Sequence, residues 1–124
     1  YRFVLRYFWH LLRAAFAAGR GDLPAVKKEV IMGYLSLPST LKMCPAILYL
    51  LREAMSYKLT AKLTEYQKRR LKSYYLGVML ELPTYILEFL FTDLRDKNFQ
   101  QQKEAILEYT RDEIRAAKTI DNTQ

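Results

Sequence analysis

Cysteine, histidine and tryptophan each occur once in these 124 residues, and glycine and proline only four times each. A single cysteine excludes an internal disulfide framework and any zinc site built on several thiolates. One histidine leaves little for metal ligation or for the acid–base work that histidine most often carries. So few glycines and prolines exclude collagenous and low-complexity chains. Long apolar runs are lacking too. Met43 to Leu51 (MCPAILYLL) is charge-free over only nine residues, and the very apolar Leu76 to Phe91 is interrupted by Glu81, Pro83 and Glu88. A spanning helix needs about 20 predominantly apolar residues, so no segment reads as a bilayer crossing. Leu76 to Phe91 reads as buried core.

What is present is a chain that is 51% apolar and 27% charged, with ten tyrosines and a formal net charge of +7. This composition excludes intrinsic disorder and fits one domain, large enough to bury roughly 65–70% of its unfolded surface. The charge is divided unevenly. Residues 1–72 hold 14 basic and 4 acidic side chains, a balance of +10, whereas residues 73–124 hold 6 and 9, a balance of −3. A lone cysteine suits a reducing compartment. The first residue is Tyr1 rather than Met, which fits either a removed leader or a start further upstream.

Punctuation predicts about five helical segments in a single all-α bundle. The first, Arg2 to Ala18, ends at Gly19-Arg20-Gly21, where glycine supplies a left-handed C-cap. Asp22 caps the second, with Pro24 in its first turn, and Ser36 to Ser39 closes it. The third runs from Pro45 to about Leu59. Thr64-Glu65-Tyr66-Gln67 has the form of a capping box and starts a fourth, unless the third continues through it. The fourth is expected to stop before Pro83, because the residue preceding proline avoids helical geometry. A short apolar helix then follows to about Arg95, and a last amphipathic one runs from Phe99 to about Thr119. No strand-like alternation appears.

Two basic stripes follow from helical spacing. On the first helix Arg2, Arg6, His10 and Arg13 recur at intervals of four, four and three. The remaining circumference (Phe3, Val4, Leu5, Tyr7, Phe8, Trp9, Leu11, Leu12, Phe16) is apolar, so this helix is expected to be covered on nearly every side but one. Further on, Lys58, Lys62, Arg69 and Lys72 fall on one stripe. Such stripes are ordinarily solvated faces. Read functionally they fit an acidic protein helix, a phosphate backbone or an anionic membrane surface.

No catalytic constellation emerges. His10 sits between Arg6 and Arg13 with no orienting partner, and Cys44 reads as a small buried side chain preceding Pro45. Glu81 and Glu88 are separated by Pro83, which is expected to break their register. Gly19-Arg20-Gly21 follows a helix rather than a strand and lacks the rest of a phosphate-binding signature. Catalytic, cofactor and metal sites are therefore expected to be absent, and the protein is expected not to be an enzyme.

The string VLRYFWHLLRAA, Val4 to Ala15, resembles the opening helix of the LYR-motif proteins, small mitochondrial helical subunits and assembly factors. Leu11-Leu12-Arg13-Ala14-Ala15 matches the continuation of that motif, whereas Tyr7-Phe8-Trp9 stands where the defining Leu-Tyr-Arg falls, without its arginine. The resemblance extends at most over residues 4 to about 60, a three-helix part, and leaves the two to three helices of residues 61–124 unexplained. It implies a mitochondrial, non-enzymatic bundle that docks on the acidic face of an acyl carrier protein, with Arg6, Arg13, Lys27 and Lys28 toward that face.

The reading is therefore a structural or assembly subunit of a larger multiprotein complex. Arg2, Arg6, Arg13, Lys27, Lys28, Lys58, Lys62, Arg69 and Lys72 are its candidate contacts to an acidic partner. Phe3, Phe8, Trp9, Leu12 and Phe16 are its candidate apolar docking residues. Two alternatives stand beside it: a nucleic-acid-coating protein such as a filamentous-virus capsid subunit, and a membrane-peripheral helical protein.

Overall fold

The computed structural model describes residues 2–93, together with 111 and 115. Four α-helices and no strand occur among these residues: α1 (Arg2–Arg20), α2 (Leu23–Leu35), α3 (Pro45–Met55) and α4 (Glu65–Glu88). A 3₁₀ turn, Leu41–Met43, precedes α3, and a π-helical turn, Phe89–Asp93, follows α4. The all-α class read from the sequence is the class of the structure. Of the expected last helix only Arg111 and Arg115 are among the described residues, and both are helical; the rest of it lies outside them.

Local chemistry sets the helix ends. At the end of α1 the Gly21 N–H donates to the Ala18 carbonyl and the Asp22 N–H to that of Ala17, both at 3.0 Å. This paired closure needs a left-handed residue, and Gly21 has φ +75°, which costs a glycine nothing. Asp22 then accepts from the Ala25 N–H at 3.2 Å and caps α2, with Pro24 in its first turn. One short link thus makes α1 and α2 an antiparallel hairpin. Thr64 and Gln67 form a reciprocal capping box at the start of α4, with hydrogen bonds of 2.9 and 3.2 Å.

The helices pack in a cycle: α1 lies against both α2 and α4, α2 against α3, and α3 touches α4 only sparsely. Small residues bring the first pair close. Ala14, Ala15, Ala17 and Ala18 are buried on α1, and Gly33 of α2 sits directly over Tyr7 and His10. The core adds Leu11, Val26, Val30, Ile31, Tyr34, Ile47 and Leu51, with Tyr75, Leu82 and Phe89 from the C-terminal side.

Several expectations are corrected. The third helix ends at Met55, not near Leu59, and Thr64 begins a separate fourth helix. Lys58 and Lys62 consequently lie in the non-helical connection, and only Arg69 and Lys72 of their expected stripe are on a helix. The fourth helix does not stop before Pro83 but runs through it to Glu88. Proline removes one main-chain hydrogen bond there, yet its ring is exposed while Leu82, Ile86 and Phe89 on either side are buried. Burial of that face holds the helix across the missing bond. Leu76 to Phe91 is only partly core, because Leu80 is 84% exposed and Tyr85, Leu87 and Phe91 also face outward. By length and composition alone Glu65–Phe91 reaches the range of a membrane-crossing helix, and little of its most apolar stretch is buried.

Gly33 supplies a direct test of the α1–α2 approach. A Cβ added there would lie 3.0 Å from His10 Cβ and 3.1 Å from a Tyr7 ring carbon, whereas one at Gly77 meets nothing within 4 Å. Thermal unfolding should show Gly33→Ala destabilised by about 1–3 kcal/mol from overpacking. Gly77→Ala should instead be stabilised by about 0.5–1 kcal/mol, the ordinary helix preference.

Candidate functional site

The packing of α1 against α2 and α4 fixes which of its residues face outward. Arg2, Leu5, Arg6, Trp9, Arg13, Phe16 and Arg20 are all exposed. At 100° per residue they lie within about 100° of one another, on a stripe about 27 Å long. This stripe is the one open side of α1, and the correction concerns what it carries: Leu5, Trp9 and Phe16, expected to be covered, lie on it beside the arginines. The more enclosed helix is α2, where Leu23, Val26, Glu29, Val30, Ile31, Gly33 and Tyr34 are all buried.

The candidate docking residues divide accordingly. Phe3, Trp9 and Phe16 are exposed, with Trp9 at 56%, whereas Phe8 and Leu12 are half-buried and Phe8 packs against the core. Of the basic candidates, Arg2, Arg6 and Arg13 share the α1 stripe. Lys72 joins them from α4, its Nζ 5.5 Å from the Phe16 ring centroid in a cation–π contact. Lys28 and Arg69 are exposed on α2 and α4, and Lys27 is half-buried. Sequence reading missed Arg20, because the helix was expected to end at Ala18. The signal was there in the seven-residue spacing of Arg6, Arg13 and Arg20.

His10 is not a stranded member of the stripe. Its Nδ1 lies 2.8 Å from Glu29 Oε2, and Arg13 Nε lies 3.2 Å from Glu29 Oε1. Glu29 is 8% exposed, and a buried carboxylate is tolerated only when its oxygens are paired. Both are paired here across the helix interface. The partner that His10 lacked in the sequence thus comes from α2, and the arrangement joins two helices.

A second polar cluster joins α3, its following turn and α4. Tyr74 donates to Glu53 Oε2 at 2.9 Å, Tyr57 donates to Glu53 Oε1 at 3.1 Å, and the Tyr57 and Tyr75 hydroxyls are 2.7 Å apart. A phenol has one proton, so Tyr57, having given its own to Glu53, accepts from Tyr75. The only local hint in the sequence was the i,i+4 spacing of Glu53 and Tyr57; the rest depends on how α4 returns.

Because α3 and α4 barely touch, a cleft of about 260 Å³ opens between them. Ala46, Tyr49 and Leu50 form its α3 side. Tyr74, Val78, Glu81, Leu82 and Tyr85 form its α4 side. A second depression of about 360 Å³ lies beyond Tyr74, with Leu23, Leu63 and Leu71 among its lining and Gln67 and Arg70 beside them. Glu81 and Glu88 occupy one unbroken helix, so the expected break in register does not occur. Seven residues put them about 10 Å apart along the axis, too far to share a proton. Cys44 is buried, as expected. Among the described residues no group of three His, Cys, Asp or Glu side chains is placed to hold a metal ion. The chain matches no protein family, curated protein or solved structure.

The tyrosines set the alkaline behaviour. Burial pushes Tyr34 up to about 12 from the ordinary 10.0. Tyr7 is raised further, mainly by burial, and so are Tyr57, Tyr74 and Tyr75, where Glu53 adds to the effect. A group whose folded pKa is raised contributes stability that is fully present below the unfolded value and declines above it. Stability should therefore hold up to about pH 10 and fall steeply beyond. Tyrosinate absorbance and helical circular dichroism, titrated together, should change in one concerted step for these residues.

Proposed function

We propose that this protein is a non-enzymatic structural or assembly subunit that docks through the open face of α1 onto an acidic protein partner. The observation that carries the reading is the exposed stripe on which arginines flank Trp9 and Phe16. Arginine and tryptophan are the side chains most enriched at binding hot spots. An exposed aromatic–guanidinium strip offers an apolar anchor and a rim of complementary charge together. The seven-residue recurrence of Arg6, Arg13 and Arg20, and of Arg2, Trp9 and Phe16, suits a partner helix laid alongside α1. An acyl carrier protein, the partner implied by the LYR-motif resemblance, is one acidic helical surface of this kind.

A membrane-peripheral role is the second reading, supported by the exposed Leu80, Tyr85 and Leu87 on the apolar end of α4 and Phe91 in the turn that follows it.

Trp9 is the sole tryptophan and stands on the proposed face, so its fluorescence reports occupancy. Titration of the full chain with an amphipathic helical peptide bearing a glutamate stripe should blue-shift Trp9 emission. The double substitution Arg6→Glu and Arg20→Glu should weaken that binding at least tenfold while helical content is retained. A shift produced only by duplex nucleic acid, with steep salt dependence, would replace this reading with the nucleic-acid-coating one. A shift produced only by anionic vesicles would replace it with the membrane one.

A further inference from the structure

We propose that the cleft between α3 and α4 binds a compact organic cation of the quaternary-ammonium type. Three tyrosines, Tyr49, Tyr74 and Tyr85, line a single depression together with the carboxylate of Glu81, and among the described residues no basic side chain lines it. In a chain of net charge +7, that local composition is the reverse of the whole. The negative face of an aromatic ring attracts a cation, and rings combined with a carboxylate favour it more. Leu50, Val78 and Leu82 add apolar lining. An alkylated ammonium suits both kinds of wall, since its methyl groups need no hydrogen bonds while its charge faces the rings and Glu81. A simple ammonium would forfeit its hydration against the aliphatic side.

The cleft is also prepared in advance. Tyr74 is held by its hydrogen bond to Glu53, which fixes the ring before a ligand arrives. Donation to a carboxylate polarises the phenol and enriches its ring face. Tyr49 and Tyr85 are exposed, at 64% and 50%, and can settle on a ligand from either side. At about 260 Å³ the space falls below the roughly 300–1,000 Å³ of sites for drug-sized molecules. It accepts a head group and not a large ligand.

The test is titration of the full chain with choline and with tetramethylammonium, following tyrosine ring resonances by NMR. The control is the neutral tert-butyl analogue of choline, which has the same shape without the charge. The expected result is saturable shifts with both cations and much weaker ones with the analogue. Tyr49→Ala and Tyr85→Ala should each weaken choline binding about three- to fivefold, Tyr85→Phe should retain it, and Glu81→Gln should weaken it. All three positions are exposed, and unchanged circular dichroism will establish that the variants fold. Equal binding of the neutral analogue would overturn the proposal, as would unmoved tyrosine resonances at tens of millimolar choline. Alanine variants that bind as well as the parent would also overturn it.

Discussion

The seam between α1 and α2 governs the rest of the molecule. Gly33 lets the helices approach until Tyr7 and His10 of α1 lie over α2, and Glu29 receives both His10 and Arg13 across the contact. These two features act together. Close packing alone leaves a helix free to rotate by a residue at modest cost, because one apolar face can be exchanged for its neighbour. A buried carboxylate tolerates no such exchange, since either oxygen left unpaired carries a desolvation penalty of about 1–3 kcal/mol or more. The pairing thereby fixes the rotation of α1. With that rotation fixed, Trp9, Phe16 and the arginines have no place except the outside.

The opposite side of the bundle is joined differently. Where α3 meets α4 there is little packing, and the connection rests largely on Glu53 holding Tyr74 and Tyr57, with Tyr75 behind. Hydrogen bonds of this kind are directional but short in reach, so they tether the helices at one level and leave them apart elsewhere. The cleft bearing Tyr49 and Tyr85 is the consequence. Both the open α1 face and the cleft therefore follow from buried or half-buried glutamates, one enforcing a tight seam and the other a loose one.

Much of this was legible in the sequence, and the limits have physical causes. The helix starts at Asp22, Pro45 and Thr64 and the turn at Gly21 were readable because capping is local chemistry, complete within a few residues. The course of α4 through Pro83 was not, since the proline penalty is local but the burial of Leu82, Ile86 and Phe89 that offsets it is tertiary. The outward direction of Phe3, Trp9 and Phe16 was hidden for a related reason. A helix apolar through most of its circumference does not state which side its neighbours will take. His10 looked unpartnered because Glu29 is 19 positions away and meets it only once the hairpin closes. The tyrosine cleft is the least legible element, being defined by two helices failing to pack.

The acidic residues of the basic half give the charge count a sharper meaning. The first 72 residues contain only Asp22, Glu29, Glu53 and Glu65 against 14 lysines and arginines. Each of the four is engaged in the fold. Asp22 caps α2, Glu29 holds His10 and Arg13, Glu53 holds Tyr57 and Tyr74, and Glu65 pairs with Lys68 at 3.1 Å. The two central ones, Glu29 and Glu53, are turned inward, so their charge is directed at interior partners rather than toward an approaching molecule. The arginines of α1, apart from the one contact of Arg13, meet no carboxylate in the described ion pairs. The outward field of this half is accordingly closer to one sign than its balance of +10 suggests. A surface of that kind, with a single tryptophan set among the charges, raises encounter rates with acidic partners and discriminates against basic ones. The structural use of these four carboxylates and the exposed positive stripe of α1 are thus two sides of one allocation of charge.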